Sequence, residues 1–113
     1  MRVDLLQGTL DMLVLKALTW GSKHGYGIVS WLEEQSESAI VVEEGSLYPA
    51  LHRLAQRGWV SSQWGLSENN RRAKFYTLTA AGRRQLQQEA NAWQRFTDVV
   101  AKVMTADPAL GAT

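Results

Sequence analysis

The sequence predicts a mostly α-helical domain with one small β-hairpin and a long C-terminal helix. Three observations predict it. Apolar residues recur at helical spacing before and after the middle of the chain. Two short alternating segments flank a polar turn rich in glycine and asparagine. A last amphipathic stretch runs to about twice the usual helix length of ~11–12 residues. At 113 residues, 45% of them hydrophobic and 20% charged, the chain has the size and composition of one globular domain with a modest core.

Each element has its own justification. Leu6, Leu10, Leu13, Ala17 and Leu18 recur at helical spacing and predict an amphipathic helix over residues 4–19. The segment from Trp20 to Gly25 holds two glycines and reads as a turn. A second helix is expected over 26–37, with Ile28, Val29 and Leu32 inward, and the β-branched run in Ala39 to Val42 suits one short strand. In the third helix Leu47, Leu51 and Leu54 share a face, and Gly58 stands where a left-handed cap is expected. Pro49 belongs in a first turn, which places the start near residues 45–48. The hairpin strands are Trp59 to Trp64 and Arg72 to Leu78, joined by Gly65 to Asn70. Thr79 caps a fourth helix that runs to about Met104, where Asp107-Pro108 stops it. Three helices, a hairpin and a long helix in that order make a winged helix-turn-helix over 1–78. To it are appended a dimerisation helix over 79–106, part of the same compact unit, and a flexible tail over 107–113.

Composition excludes several classes. There is no cysteine, so disulfides and thiolate metal sites are ruled out, in keeping with a reducing cytoplasm as the expected location. Asp4, Gln7, Asp11 and Lys16 interrupt the apolar N-terminal run, which therefore does not read as a signal peptide, and no stretch approaches the ~18–20 apolar residues of a membrane span. Catalysis, a metal and a cofactor are not expected. The chain has two histidines, His24 and His52. Gly25-Tyr26-Gly27 lacks the third glycine and preceding strand of a phosphate loop, and the adjacent carboxylates Glu33-Glu34 and Glu43-Glu44 diverge on a helix.

The net charge is only +1, but the charges segregate. Gly25 to His52 has Glu33, Glu34, Glu37, Glu43 and Glu44 and no base, whereas Asn69 to Gln88 has Arg71, Arg72, Lys74, Arg83 and Arg84 and no acid. Such separation gives one surface a positive field on a nearly neutral molecule. The outer face of the third helix (Ser46, Tyr48, Pro49, His52, Arg53 and Gln56) carries donors and an aromatic ring but no carboxylate. In a winged helix this face enters the major groove of duplex DNA. Arg53 is the candidate to donate two bonds to guanine, and Ser46 and Tyr48 lie near the helix start, where hydroxyls and free N–H groups grip phosphate. His52 has a donor for either partner. Arg71, Arg72 and Lys74 on the hairpin are candidate phosphate contacts. On the fourth helix Leu86, Ala90, Trp93, Thr97, Val100 and Met104 form a heptad seam widened by Phe96, Val99 and Val103, which calls for a second copy of the chain as cover. Trp93, at the centre of that seam, is a candidate to stack on a small aromatic effector.

These residues resemble the PadR family of transcriptional regulators. The resemblance runs from Leu5 to about Met104. It rests on Gly8-Thr9-Leu10, Gly25-Tyr26-Gly27-Ile28, Gly58-Trp59-Val60, the run from Arg72 to Gly82, and above all the block Gly45-Ser46-Leu47-Tyr48-Pro49-Ala50-Leu51-His52-Arg53-Leu54. The length resembles the small subgroup with a single C-terminal helix. The resemblance implies a homodimeric winged-helix protein, usually a repressor of a pseudo-palindromic operator. Ser46, Tyr48, Pro49 and Arg53 would then lie at the DNA, and family effectors include phenolic acids and drug-like aromatics. Glu43-Glu44 departs from the small or capping residues usual before the third helix. The pair suits the helix dipole but repels phosphate unless it points away from the DNA. The alternative from another class is a dimeric module that binds a ligand or protein through its fourth helix and has no affinity for DNA.

Overall fold

The computed structural model describes residues 8–111, and its elements in chain order are α1 (Thr9–Ala17), β1 (Lys23–His24), α2 (Gly25–Gln35), α3 (Glu44–Gln56), β2 (Val60–Leu66), β3 (Arg72–Leu78), α4 (Ala80–Met104) and α5 (Pro108–Gly111). The fold class is the expected one: mostly helical, with a small antiparallel sheet and a long helix at the C-terminal end. Val14, Leu15 and Leu18 of α1 and its flank, Ile28 and Leu32 of α2, and Leu47, Leu51 and Leu54 of α3 meet in one core, which the sheet closes with Val60, Tyr76 and Leu78.

Several boundaries differ from expectation, each for a physical reason. Residues 4–7 of the expected first helix lie outside the described residues. Within the described part, Val14 and Leu15 are fully buried while Leu10 and Leu13 pack only partly, so the inner face is turned from the one expected. Ala39 to Val42 is not a strand. Val42 is buried and Val41 exposed, as alternation demands, but Ser36 ties down the segment by accepting the Ile40 N–H at 2.8 Å, and the backbone has no sheet partner. The turn before α2 supplies the third strand instead. Lys23 and His24 pair with Tyr76 and Phe75, giving the order β1-β3-β2. His24 then caps α2, its Nδ1 accepting the Gly27 N–H at 2.9 Å.

The hairpin is in register, Val60 opposite Leu78 and Leu66 opposite Arg72, so β2 runs two residues further than expected. Its turn closes with the Ser67 N–H donating to Arg71 O at 2.8 Å and Asn70 in the left-handed region at φ 59°. Asp107-Pro108 follows the end of α4 as expected; within the segment expected as a flexible tail, Pro108–Gly111 makes one helical turn, and residues 112–113 lie outside the described residues.

Two junction features set how α4 leaves the domain. The first is a Schellman cap on α3: Gly58, at φ 75°, donates to Ala55 O and Trp59 donates to Leu54 O, both at 3.0 Å. The second is Thr79. Its N–H donates to Trp59 O at 3.1 Å, its hydroxyl donates to Gly58 O at 2.7 Å, and the same oxygen accepts the Gly82 N–H at 3.0 Å. Gly82 is buried against this cap: a Cβ there would collide with the Trp59 carbonyl oxygen and lie 2.7 Å from Leu78 Cδ1. Gly82→Ala should therefore lower stability by about 1–3 kcal/mol through overpacking, although alanine is the better helix former. Urea unfolding checks this, and an unchanged midpoint would show that the junction has slack.

Candidate nucleic-acid interface

On α3 the apolar positions Leu47, Ala50, Leu51 and Leu54 are buried, so their complement must face out. Ser46, Pro49 and His52 are exposed and Tyr48 is 48% exposed. Pro49 departs from expectation. The helix starts at Glu44, so proline stands in its second turn and not its first. The missing N–H leaves the Gly45 carbonyl without its helical donor, a defect tolerated because Gly45 is exposed to water. Glu43 caps the helix through its extended backbone with no side-chain bond, its carbonyl accepting from Ser46 and Leu47 at 3.0 Å. Glu43 and Glu44 are both exposed at the positive end of the dipole. Tyr48 lies against the start of α2: a Cβ on Gly25 would come within 2.8 Å of its hydroxyl, so glycine there lets the ring rest where it does. Behind it, burial, with Tyr48 close by, pushes the Tyr76 phenol up from its ordinary value and keeps it neutral.

Arg53 has a partner that the sequence did not suggest. Its Nη2 donates to Asp11 Oδ1 at 2.8 Å and its Nε approaches Asp11 Oδ2 at 3.4 Å. The Asp11 side chain is 10% exposed and that of Arg53 41%. The hydrogen bond and charge of Asp11 raise the Arg53 pKa above its ordinary value, so the guanidinium is charged throughout the working range. On the Arg53 side of the pair, a raised basic pKa means that the stabilisation is present below the unfolded value and fades as pH rises through the folded one, provided that Asp11 is ionised. One edge of the fork is thus committed to α1, and the Nη1/Nη2 edge remains for a base or phosphate. The missed signal is a matter of spacing. Asp11, Val14, Leu15 and Leu18 share one helical face, and a carboxylate on a buried face requires a cation.

On the hairpin Arg71, Arg72 and Lys74 are exposed, and register puts Arg72 and Lys74 on the same face as expected. Arg83 and Arg84, exposed in the first turns of α4, add to the positive charge of this half of the chain. On α4 the seam divides. Leu86 packs against its own domain. Beyond it Trp93 is 41% exposed, Phe96 58%, Val100 40% and Met104 76%, with Ala90 exposed and Thr97 half-buried. Among the described residues no cluster of His, Asp and Glu could hold a metal ion, and no helix is long and apolar enough to cross a membrane.

Residues 14–88 match the family model described as the Transcriptional regulator PadR-like family. The chain belongs to this family. PadR-like proteins are DNA-binding transcriptional regulators, not enzymes. Among solved structures the fold is similar to a transcriptional regulator of Clostridium thermocellum, with TM-score 0.80, 28% identity, and 88% of this chain and 97% of that one covered. It is also similar to a PadR family transcriptional regulator of Eggerthella lenta, with TM-score 0.77, 32% identity, and 89% and 86% covered. Among curated relatives, the negative transcriptional regulator PadR of Bacillus subtilis is 27% identical over 77 residues, 68% of this chain and 42% of that protein. A 37.1 kDa protein in a Streptomyces fradiae transposon is 40% identical over 87 residues, 77% of this chain and 24% of that protein. The chain thus spans less than half the length of these two curated relatives.

The Asp11–Arg53 pair predicts a stability effect separate from DNA. Arg53→Ala should cost about 1–2 kcal/mol, because it strands a buried carboxylate, with the lower end favoured by screening of the half-exposed guanidinium. His52→Ala, on the exposed face, should stay within about 0.5 kcal/mol of the native chain. Denaturant unfolding without DNA checks both, and equal midpoints for the two variants would contradict the clamp.

Proposed function

We propose that this PadR-like protein is a cytoplasmic homodimeric repressor that binds a pseudo-palindromic operator, α3 in the major groove and the hairpin on the adjacent backbone. The observation that carries this proposal is the exposed surface of Ser46, Tyr48, Pro49 and His52 on α3, which bears a carboxylate only in its first turn at Glu44, with α3 packed on the hairpin that carries Arg71, Arg72 and Lys74. In this assignment Arg53 donates to a base only through the fork edge that Asp11 leaves open. Phosphate contacts supply affinity and register, and base contacts supply sequence preference. The description of the Bacillus subtilis relative as a negative regulator supports repression as the sign. The exposed stripe from Trp93 to Met104 supports a second copy as its cover, since an apolar surface left in water on a helix of 25 residues favours association. Trp93 and Phe96, their ring centroids 6.2 Å apart, make that stripe a suitable seat for a planar aromatic effector.

The test is a salt titration of binding to duplex. The native protein should lose affinity steeply as salt rises. Replacing Arg72 and Lys74 with alanine should weaken every duplex and flatten the slope by about 0.9 for each phosphate that is no longer neutralised. Negligible duplex affinity at every salt concentration would favour the protein- or ligand-binding module instead. An unchanged slope in the variant would remove these two bases from the interface.

Assembly has a separate check. The native chain should sediment as a dimer at micromolar concentration. Val100→Asp, which places an unpaired carboxylate in the covered stripe, should give monomers and abolish operator binding. A native monomer under these conditions would overturn the dimer.

A further inference from the structure

Trp64 and Leu66 are 56% and 67% exposed near the tip of β2, beyond the point where the core ends at Val60 and Tyr76. The fold does not need large apolar side chains there. Register places Trp64 opposite Lys74 and Leu66 opposite Arg72, so all four side chains share one face of the hairpin. Across the diagonal, the Arg72 guanidinium carbon lies 4.6 Å from the centre of the Trp64 ring.

A free surface arginine loses much rotamer freedom when it binds, and a stacked one has already lost it. Guanidinium is the cation suited to this: it lies flat on the ring and keeps the N–H donors at its rim. A bare phosphate, well hydrated, gains little from an indole and a leucine beside its cation. The minor groove is different. Its walls are sugar C–H surface, and where it narrows over A·T pairs its negative potential draws in arginine.

We propose that Trp64 is a positioning residue that holds Arg72 at the mouth of the minor groove flanking each half-site, between the backbone phosphates of its two walls, so that the guanidinium neutralises phosphate and reads groove width from one position. Trp64 and Leu66 lie along the sugar wall, so that the hairpin prefers A·T-rich flanks over G·C-rich ones. This rests on the proposal that the chain binds duplex DNA through this hairpin.

The experiment uses duplexes recovered from a random pool by the native protein and rebuilt with A·T-rich or G·C-rich flanks. Affinities are measured for the native chain, Trp64→Ala, Trp64→Phe, Arg72→Ala and the double alanine variant, each first shown to unfold at the native urea midpoint. On A·T-rich flanks Trp64→Ala should weaken binding about two- to fivefold per hairpin. It should leave the salt slope unchanged, because no charge is removed, and it should erase the flank preference. Trp64→Phe should restore part of both, and adding Trp64→Ala to Arg72→Ala should cost little more. The inference is overturned if Trp64→Ala keeps the flank preference or if the two alanine effects multiply independently. A native protein that binds no duplex sinks the DNA-binding proposal itself. A native protein that binds, with Trp64→Ala indistinguishable from it, sinks only the role of Trp64.

Discussion

The contact on which the rest of the architecture depends is the joint between the end of α3 and the start of α4. Gly58 and Trp59, whose N–H groups close the cap on α3, offer their carbonyls to Thr79, and Gly82 lets the first turn of α4 press against them. No flexible linker separates the helix that faces outward from the helix that carries the exposed apolar stripe. A cap that uses backbone on both sides tolerates little rotation, because turning α4 would break the Thr79 bonds to Gly58 and Trp59 and drive Gly82 into the Trp59 carbonyl. Whatever fixes the angle between two copies of α4 therefore also fixes the separation of two copies of α3.

A second constraint holds α3 from the other side. Asp11 sits at the edge of the core and Arg53 reaches it from the flank of α3, so α1 and α3 are joined by a charged, two-pronged contact in addition to their apolar packing. Such a pair adds orientation more than energy, since the cost of desolvating Asp11 offsets most of the attraction. Together the two joints hold α3 at both flanks, while Ser46, Pro49 and His52 face outward and Tyr48 rests against the start of α2 with half of its surface open. A surface held in place by its neighbours and unoccupied by them loses little entropy on meeting a partner.

Much of this is legible in the sequence because it is written in periodicity and in turn chemistry. Leucines at 47, 51 and 54, Gly58 after them, and Thr79 before the last helix place α3 and α4 almost to the residue. The hairpin follows from alternation alone. What escapes are features that depend on which segments meet. Ile40 to Val42 has the composition of a strand but no neighbour to pair with, whereas Lys23-His24 has no strand-like composition and is recruited by the free edge of β3. Pro49 misleads because proline favours first turns, while the exposed Gly45 carbonyl can do without its donor. The outer face of α3 is exposed as its periodicity predicts, but the partner of Arg53 lies 42 residues away in sequence, and only the apolar company of Asp11 hints at it. In the sequence Trp64 is merely one position in an alternating strand; its stacking on Arg72 depends on the hairpin register.

The central claim is that two rigidly jointed copies of this chain read one duplex together. Hydroxyl-radical footprinting on a duplex selected by the native protein tests it most directly. The expected result is two protected tracts related by a two-fold axis, their centres about 34–36 Å or a whole multiple of that apart, as two recognition helices on successive turns require. A single unsymmetrical tract, or a cleavage pattern unchanged by saturating protein, would contradict it.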